Sequence, residues 1–477
     1  MNRTPLVIGI RPRLGKVVDT TTRVFGAIGP WGPTLTLFGV AFAARMMYVA
    51  VAAVDDPATL SSTRALTAIW NENGRIAVNL AAGKGFHSPF DAEMPTAWLC
   101  PAIPALWAVV LWAFAGSPRL IMLSALSLQA IASSLAVVMY VLLLQRLLGG
   151  RLSPRVLAVW GLAVALWPES LLRLTDLWYY PWQELGVALL VWCGISWAQQ
   201  PSRRNAVALG CTGGIVALIN VTPIPLFLLA VGGPLLRRSA THVWRRAALA
   251  LVIAGLIVAP WLLRHAAVFG RFVPLRGNGG FELLQGNNPR AIIRMTQGSV
   301  HPGVDPRELE RYRALGEYEY NQESLRMALV WIRGHPLDFL YNAAARAYVA
   351  WFTDLTDRWS WTGVPWWADD RIGWRVAAQN VTSSVTALIT VPVALFALWR
   401  SGVAAVPWPH LVFGVLLLIP LPHYFTQIDP AYVAFLRVWL MMIAVIALKR
   451  ARDREPNFKQ DGPVLVDLAD AKCRAAP

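Results

Sequence analysis

Charged residues are scarce in this chain. Of its 477 residues, 15% are charged and 56% are hydrophobic, whereas an ordinary soluble domain carries roughly 25% charged residues. A soluble globule of this size would need more charge to cover its surface, and a disordered chain would need far lower hydrophobicity. Both classes are therefore excluded, and the composition is typical of a membrane protein.

Cysteines are also few, and no internal repeat is present. The four cysteines are Cys100, Cys193, Cys211 and Cys473. They form no Cys-x-x-Cys pair and have no histidine at metal-ligand spacing, so neither a disulfide framework nor a structural zinc site is expected. No period of roughly 20–50 residues recurs, which excludes repeat architectures.

The charge that is present is mostly positive. Lys and Arg number 43 against 27 Asp and Glu, which gives a net charge of +16. Nucleic-acid-binding proteins show such an excess, but basic residues between long apolar runs usually reflect membrane topology. We therefore expect a lipid bilayer as partner and no nucleic acid. The polar, basic first 30 residues and the long apolar run behind them do not fit a cleavable signal.

Long apolar runs predict the fold class, because a membrane helix needs about 20 mostly apolar residues. The candidate runs are 33–54, 119–145, 156–172, 182–199, 206–221, 222–236, 247–263, 381–399, 407–422 and 431–448. A further run, 101–115, is short and bracketed by prolines. The sequence predicts an all-α polytopic membrane protein with about 10–11 transmembrane helices.

Basic loops predict the orientation of the chain. They lie at 1–30, 146–155, 203–204, 237–246, Arg400 and from Lys449 onward. The positive-inside rule places all of them in the cytoplasm, with both termini inside after ten crossings. If 101–115 also crossed, 146–155 would lie outside. The run 101–115 is therefore re-entrant or juxtamembrane, unless a nearby span is misassigned.

This topology divides the chain into five parts. They are a cytoplasmic segment 1–30, a transmembrane module 31–263 with a first external loop 55–100, an external helical region 264–380, C-terminal transmembrane helices 381–450 and a cytoplasmic, disordered tail 451–477. The predicted spans are nearly free of Asp, Glu and Lys, whereas ion-coupled transporters typically carry intramembrane carboxylates. Polar groups cluster instead in the first loop and after Pro260, which suits an active site at the outer membrane surface.

The first loop contains a candidate acid on a predicted helix. Apolar residues of 65–82 fall at helical spacing, which predicts an amphipathic juxtamembrane helix ended by Gly83. Glu72 projects from the polar side of this helix. It is either a solvated carboxylate, paired with Arg75, or a functional acid.

A basic cluster follows the span that ends near Pro260. Its members are Arg264, His265, Arg271 and Arg276. Arginine suits bidentate recognition of phosphate, and the glycines between 270 and 286 allow a close approach of the backbone. The alternative is that these side chains contact lipid headgroups non-specifically or snorkel to the interface.

The second half of the external region has helical and aromatic features. Segment 305–351 predicts a helical hairpin with a boundary at His335 and Pro336. Segment 351–374 is rich in tryptophan, which prefers the membrane interface. Aromatic faces also stack on sugars, so a carbohydrate groove is the alternative.

Several of these segments together resemble the bacterial GT-C-fold membrane glycosyltransferases, which are related to protein mannosyltransferases and lipid A aminoarabinose transferases. The resemblance covers most of residues 30–450. The segments that carry it are ENGRIAVNLAAGKGF at 72–86, PTAW at 95–98, PAIP at 101–104, AFAG at 113–116, PWLLRH at 260–265, FGRFVP at 269–274, NGGFEL at 278–283, GN at 286–287, ALVWI at 328–332, HP at 335–336 and Arg346.

The resemblance implies a GT-C-like bundle that moves a sugar, with inversion, from a polyprenyl-phosphate donor to a glycan, lipid or protein acceptor on the outer face of the plasma membrane. An acid of the first loop would be the general base; the candidates are Glu72, Asp56 and Asp55. The carrier phosphate would contact Arg264, His265, Arg271 and Arg276. Other substrate groups would contact Lys84, Asn278 and Asn287.

Three questions stay open on the sequence. A divalent metal such as Mg²⁺ or Mn²⁺ could use the acids of the first loop, but no spacing demands one. A lipid-linked saccharide flippase is an alternative function, which predicts a continuous hydrophilic path through the spans. A non-catalytic envelope assembly protein is the other, which predicts that the first loop and the segment 264–276 do not share a pocket.

Overall fold

A computed structural model gives the fold of the protein and describes residues 32–67, 71–150, 152–235, 241–291, 300–352 and 374–454. Within these ranges the chain is helical and contains no β-strand. The predicted cytoplasmic segment 1–30, the tail beyond residue 454 and most of the tryptophan-rich segment 351–374 lie outside the described residues.

The helices are named here in chain order. They are α1 (Gly32–Asp55), α2 (Ala58–Ser61), α3 (Arg64–Thr67), α4 (Glu72–Ala81), α5 (Ala102–Ala113), α6 (Pro118–Leu147), α7 (Pro154–Ala165), α8 (Pro168–Leu172), α9 (Tyr180–Gln199), α10 (Arg203–Ile219), α11 (Ile224–Gly232), α12 (Thr241–Phe269), α13 (Gly279–Gly286), α14 (Pro306–Leu315), α15 (Glu317–Gly334), α16 (Pro336–Phe352), α17 (Trp374–Ser401), α18 (Pro409–Leu418), α19 (Leu421–Phe425) and α20 (Leu436–Arg454). Short 3₁₀ turns lie at Leu174–Asp176, Val403–Ala405 and Pro430–Tyr432.

Five of the helical stretches are long and apolar enough to cross a membrane by length and composition. They are Gly32–Asp55, Pro118–Leu147, Pro154–Leu172, His242–Phe269 and Ala377–Ser401. The other predicted spans also fall on helices, but these are shorter or less apolar. The structure therefore has five candidate membrane-spanning helices in its described part, and the count of ten crossings stays a prediction.

The short apolar run 101–115 forms α5. Its 12 residues make a helix about 18 Å long, which is shorter than the roughly 30 Å of a bilayer's hydrocarbon core. Trp107 is buried, and its indole Nε1 donates to the Leu177 carbonyl oxygen at 3.2 Å. These features favour the re-entrant or juxtamembrane alternative for this run.

The long helices pack through small residues. Helix α10 lies along α12, and α17 lies along α20. A Cβ on Gly210 would meet the backbone of Ala250, and one on Gly214 would meet Ile257. Glycine at these positions of α10 lets the α12 backbone come close, as is common where apolar helices associate.

Helices α13 to α16 lie in the region 264–380, which the sequence predicts to be external. Helix α14 is separated from α15 by Gly316, whose φ is +76°, and α15 is separated from α16 at His335 and Pro336. The predicted helical character of 305–351 and its boundary are thus confirmed, with an additional break at Gly316. Helix α15 packs on α13, while Leu337 of α16 is 79% exposed.

The helix of the first loop differs from the prediction. It is broken ahead of Glu72, because the Asn71 side chain accepts a hydrogen bond from Gly74 N at 3.2 Å and caps a new helix, α4. The predicted end is confirmed, since Gly83 follows α4 with a φ of +75°. Glu72 is buried, 7% exposed, so the expectation that it projects from a polar face is wrong.

Candidate functional site

The Glu72 carboxylate lies at the first turn of α4, facing the interior. A Cβ on Gly74 would overlap the carbonyl oxygen of Leu66, so only glycine lets α4 pack against α3 at this point. Arg75 donates to the carbonyl oxygens of Thr67 and Pro89 instead of Glu72. Glu72 is therefore held by the local fold and is not paired with Arg75.

Two side chains contact the Glu72 carboxylate. Trp98 Nε1 donates to Glu72 Oε1 at 3.0 Å, and His301 Nε2 lies 3.3 Å from the same oxygen. The Trp98 ring packs on Phe281 with centroids 4.7 Å apart, and Phe281 packs on His301 at 5.3 Å. This aromatic cluster joins the first loop to the external helices and fixes the position of the carboxylate.

An ionic cluster contacts Trp98 at its backbone carbonyl oxygen. Arg276 Nη2 pairs with Glu282 Oε1 at 2.6 Å, and its Nε donates to the Trp98 carbonyl oxygen at 3.3 Å. Asn278 donates to Glu282 Oε1 at 2.9 Å, and Gln427 donates to Glu282 Oε2. Trp98 thus contacts both Glu72 and Arg276, which lie 204 positions apart in the sequence.

Burial and neighbouring charges have opposite effects on the pKa values of Glu282 and Arg276. Burial raises the pKa of Glu282, and the neighbouring Arg276 guanidinium counteracts only part of this rise. Burial on its own would lower the pKa of Arg276, but the anionic groups around it, Glu282 first and Glu72 among them, raise it instead. Arg276 therefore stays charged, while Glu282 takes up a proton more readily than an exposed glutamate.

Glu317 holds the strand-like segment that carries Trp98. Its carboxylate accepts hydrogen bonds from Thr96 Oγ1, from Ala97 N at 2.6 Å and from the Tyr312 hydroxyl at 2.7 Å. Burial raises the pKa of Glu317, and these hydrogen bonds oppose that rise. Glu317 was not identified in the sequence as a site residue, although it positions Trp98 against Glu72.

Arg264 has backbone partners from the same segment. It donates to the carbonyl oxygen of Thr96 at 2.5 Å and to that of Phe86 at 2.8 Å. Its guanidinium also lies over the Trp261 ring, 5.1 Å from the centroid. Arg264 links α12 to the first loop through these hydrogen bonds. Arg276, in contrast, belongs to the ionic cluster with Glu282.

The remaining basic candidates lie apart from Glu72. His265 is buried, with Nδ1 3.2 Å from the Val273 carbonyl oxygen. Arg271 forms an exposed pair with Glu319 at 2.7 Å. Among the predicted phosphate ligands, Arg276 is the one that the structure places beside Trp98 and Glu282.

Lys84 and Asn287 also have partners of their own. Lys84 pairs with the exposed Glu93 at 2.7 Å. Asn287 donates to the carbonyl oxygens of Leu283 and Phe425, both at 2.8 Å, and so joins α13 to α19. Asn278 belongs to the cluster around Glu282, as described above.

The other two candidate bases of the first loop, Asp55 and Asp56, have surroundings unlike those of Glu72. Asp55 is exposed at the end of α1. Asp56 Oδ1 accepts from Ala58 N at 3.0 Å, and its Oδ2 lies 3.5 Å from Arg375 Nη2. Glu72 is therefore the first-loop acid that joins the aromatic and ionic clusters.

Ionic side chains are also buried among the helices, which the sequence reading did not anticipate. Arg437 Nη1 pairs with Glu169 Oε1 at 2.5 Å, and both side chains are 1% exposed. Arg45 of α1 donates to Ser133 of α6 at 2.8 Å and interacts electrostatically with Glu184 of α9. These residues are far apart in the sequence and lie in mostly apolar segments, so their pairing could not be predicted from local pattern.

The described residues contain no group of three or more His, Cys, Asp or Glu side chains that could hold a metal ion. Comparison with known proteins yields no relative: no family model, no curated protein and no solved structure matches the chain. The argument for function therefore depends on the geometry of the residues themselves.

Proposed function

We propose that the protein is an integral membrane glycosyltransferase with a GT-C-like bundle of about 10–11 transmembrane helices. It transfers a sugar from a polyprenyl-phosphate donor to a glycan, lipid or protein acceptor on the outer face of the plasma membrane, and both of its termini are cytoplasmic. The observation that carries this proposal is the buried Glu72 carboxylate, joined through Trp98 to Arg276.

In this mechanism Glu72 is the general base. It accepts the proton of the acceptor hydroxyl as that oxygen forms its bond to the anomeric carbon. The bond from this carbon to the phosphate oxygen breaks on the opposite face, and the electron pair leaves with the polyprenyl phosphate. Attack from the face opposite the leaving group inverts the anomeric configuration.

Arg276 stabilises the leaving group. Its charged guanidinium supplies donors where negative charge develops on the phosphate. Glu282 beside it would repel the phosphate if ionised, but burial raises the pKa of Glu282 and so favours its protonated form when a second anion arrives. Trp98 and His301 orient Glu72 for the acceptor hydroxyl.

The test is release of polyprenyl phosphate from a panel of short-chain polyprenyl-phosphate monosaccharides, measured in membranes that contain the protein. Glu72→Gln keeps the shape of the side chain but cannot accept the proton, so we expect a loss of about 10²–10⁴-fold. Glu93→Gln removes an exposed carboxylate of the same loop and is expected to retain the wild-type rate. Full activity of Glu72→Gln would show that Glu72 is not the base. If the wild type released no polyprenyl phosphate from any donor, the proposed transferase function would be wrong.

A lipid-linked saccharide flippase is the second candidate, because charged side chains are buried among the helices. Glu169, Ser133 and Glu184 line a cavity of about 30 Å³, which has room for about one water molecule and not for a saccharide. A flippase would move a fluorescent lipid-linked saccharide across proteoliposomes equally well in wild type and Glu72→Gln. Such a result would favour this candidate over the transferase.

A further inference from the structure

A separate polar cavity lies at the ends of three candidate spans. Its volume is about 380 Å³, which is within the range of small-ligand sites. Its walls come from the residues after α1, the start of α6, the turn Leu174–Asp176 and the start of α17. The cavity is therefore at the level where these helices reach the membrane surface. We call it the Asp176 cavity.

The polar groups that line the Asp176 cavity are balanced in charge. Two carboxylates, Asp56 and Asp176, face two guanidinium groups, Arg64 and Arg375, together with the Gln379 amide. The hydroxyls of Thr59 and Thr175 and the apolar side chains of Met122 and Leu126 complete the lining. The lining therefore combines hydrogen-bond donors and acceptors with apolar side chains.

The ionic contacts around the cavity are long. Asp56 lies 3.5 Å from Arg375, Asp176 lies 4.0 Å from Arg173, and Gln379 donates to Asp176 at 3.3 Å. The Arg276–Glu282 pair, in contrast, is 2.6 Å long. Asp56 and Gln379 also bond to the backbone, at Ala58 N (3.0 Å) and at the Leu172 carbonyl oxygen (2.9 Å). Carboxylates and guanidinium groups have more bonding positions than these contacts use, so the lining has capacity for further hydrogen bonds.

This chemistry selects among ligand classes. A phosphate or pyrophosphate would meet two carboxylates in the lining, and a purely apolar ligand would form no hydrogen bond with the four charged side chains and the amide that line the cavity. A hydroxyl group both donates and accepts, so the hydroxyls of a sugar suit a lining that contains both carboxylates and guanidinium groups, and its C–H face suits Met122 and Leu126. We propose that the Asp176 cavity is a carbohydrate-binding site, distinct from the site around Glu72. Binding there does not depend on the transfer activity proposed above.

The test is ligand-observed saturation-transfer NMR on the full-length protein in detergent. The probes are glucose, galactose, mannose, arabinose and N-acetylglucosamine, with phosphoethanolamine as a zwitterionic headgroup probe. We expect at least one sugar to bind, and Asp176→Asn to weaken its Kd about tenfold or more, as for the loss of a hydrogen bond to a charged group. Asp338→Asn removes an exposed carboxylate in the first turn of α16 that does not line the cavity, and this variant is expected to bind the sugar as wild type does.

Arg375→Gln provides a second variant and is expected to weaken binding similarly, and thermal unfolding checks that each variant is folded. Binding of no sugar by the folded wild type overturns the proposal. So does sugar binding that survives both Asp176→Asn and Arg375→Gln, or binding of phosphoethanolamine alone. Because the readout is binding, failure here leaves the role of Glu72 in transfer to be decided by its own assay.

Discussion

The orientation of the Glu72 carboxylate depends on residues that are distant in the sequence. Its indole partner, Trp98, belongs to a segment that Glu317 and Arg264 hold by hydrogen bonds. Replacing a residue that only positions this segment should therefore change the orientation of the Glu72 carboxylate, although that residue does not contact Glu72. Two substitutions test the packing around Glu72 and around the Trp98 segment at the level of single residues.

Gly74→Ala is expected to destabilise the protein by about 1–3 kcal/mol, because the added methyl group overlaps the Leu66 carbonyl oxygen and forces α3 and α4 apart. Reversible unfolding in detergent measures the change. Gly255→Ala in α12 is the matched control, since nothing lies within 4 Å of a Cβ there. Equal stability of the two variants would mean that α3 and α4 are not packed as described.

Glu317→Gln is expected to alter the pH dependence of stability. Because burial raises the pKa of Glu317 above its ordinary 4.5, the folded protein binds this proton more tightly than the unfolded chain. The resulting stabilisation is present below pH 4.5 and is lost as the pH rises through the raised pKa. The wild type should therefore lose more stability than Glu317→Gln over this range, as followed by Tm in detergent. Identical pH profiles would contradict the assigned burial.

At the level of helices, features set by the local sequence are easier to predict than features set by long-range packing. The breaks at Gly83 and Pro336 follow from backbone chemistry and were predicted correctly. The break before Glu72 was missed, because the apolar spacing of 65–82 continues through it while Asn71 caps a new helix. Periodicity reports which face is apolar, but it does not report a cap inside an otherwise regular pattern.

The resemblance predicts that Glu72 and Arg276 belong to one site, and in the structure both contact Trp98, whereas Glu282 and His301 were not identified as partners. Glu282 lies in the segment 278–283, one helical turn after Asn278, and its position after four basic residues is a signal in the sequence. His301 gives no such signal, since its contact with Glu72 depends on how α13 and α14 pack. Side-chain contacts of this kind follow from tertiary structure alone.

Arg437→Met is expected to destabilise the packing of α8 with α20 by about 3–5 kcal/mol, because it leaves the Glu169 charge buried without its partner. Unfolding in detergent measures the loss. The double variant Glu169→Gln with Arg437→Met removes both charges and should recover much of the stability. A double variant as unstable as Arg437→Met would show that the helices need these side chains for more than charge pairing.

The whole molecule has its long apolar helices in one part and α4, α13, α14 and α15 in another. Trp98 and Phe281 belong to the hydrophobic cluster of the second part, and Trp261 of α12 packs against that cluster through Phe86, with ring centroids 4.6 Å apart. If the charge of the loops sets the orientation, Glu93 lies outside and Asp453 lies in the cytoplasm. Both side chains belong to exposed segments suited to labelling.

Single cysteines at these two positions test the orientation, in a variant whose native cysteines are replaced by serine. Glu93→Cys is expected to react with a membrane-impermeant maleimide in intact cells, and Asp453→Cys to react only after the membrane is opened. The reverse pattern would place the Glu72 site on the cytoplasmic side. Labelling of both positions in intact cells would contradict the prediction that the membrane separates them.

The contact between Gln427 and Glu282 has a consequence for biosynthesis. Gln427 is synthesised roughly 350 residues after Glu72, which at 5–20 residues per second is a delay of about 20–70 s. During this interval the ribosome has already delivered the early loop to its compartment, while the last donor to Glu282 does not yet exist. A nascent or prematurely terminated chain would carry Glu72 without the complete ion cluster around Glu282, so the site proposed for catalysis is complete only when the final helices have been synthesised.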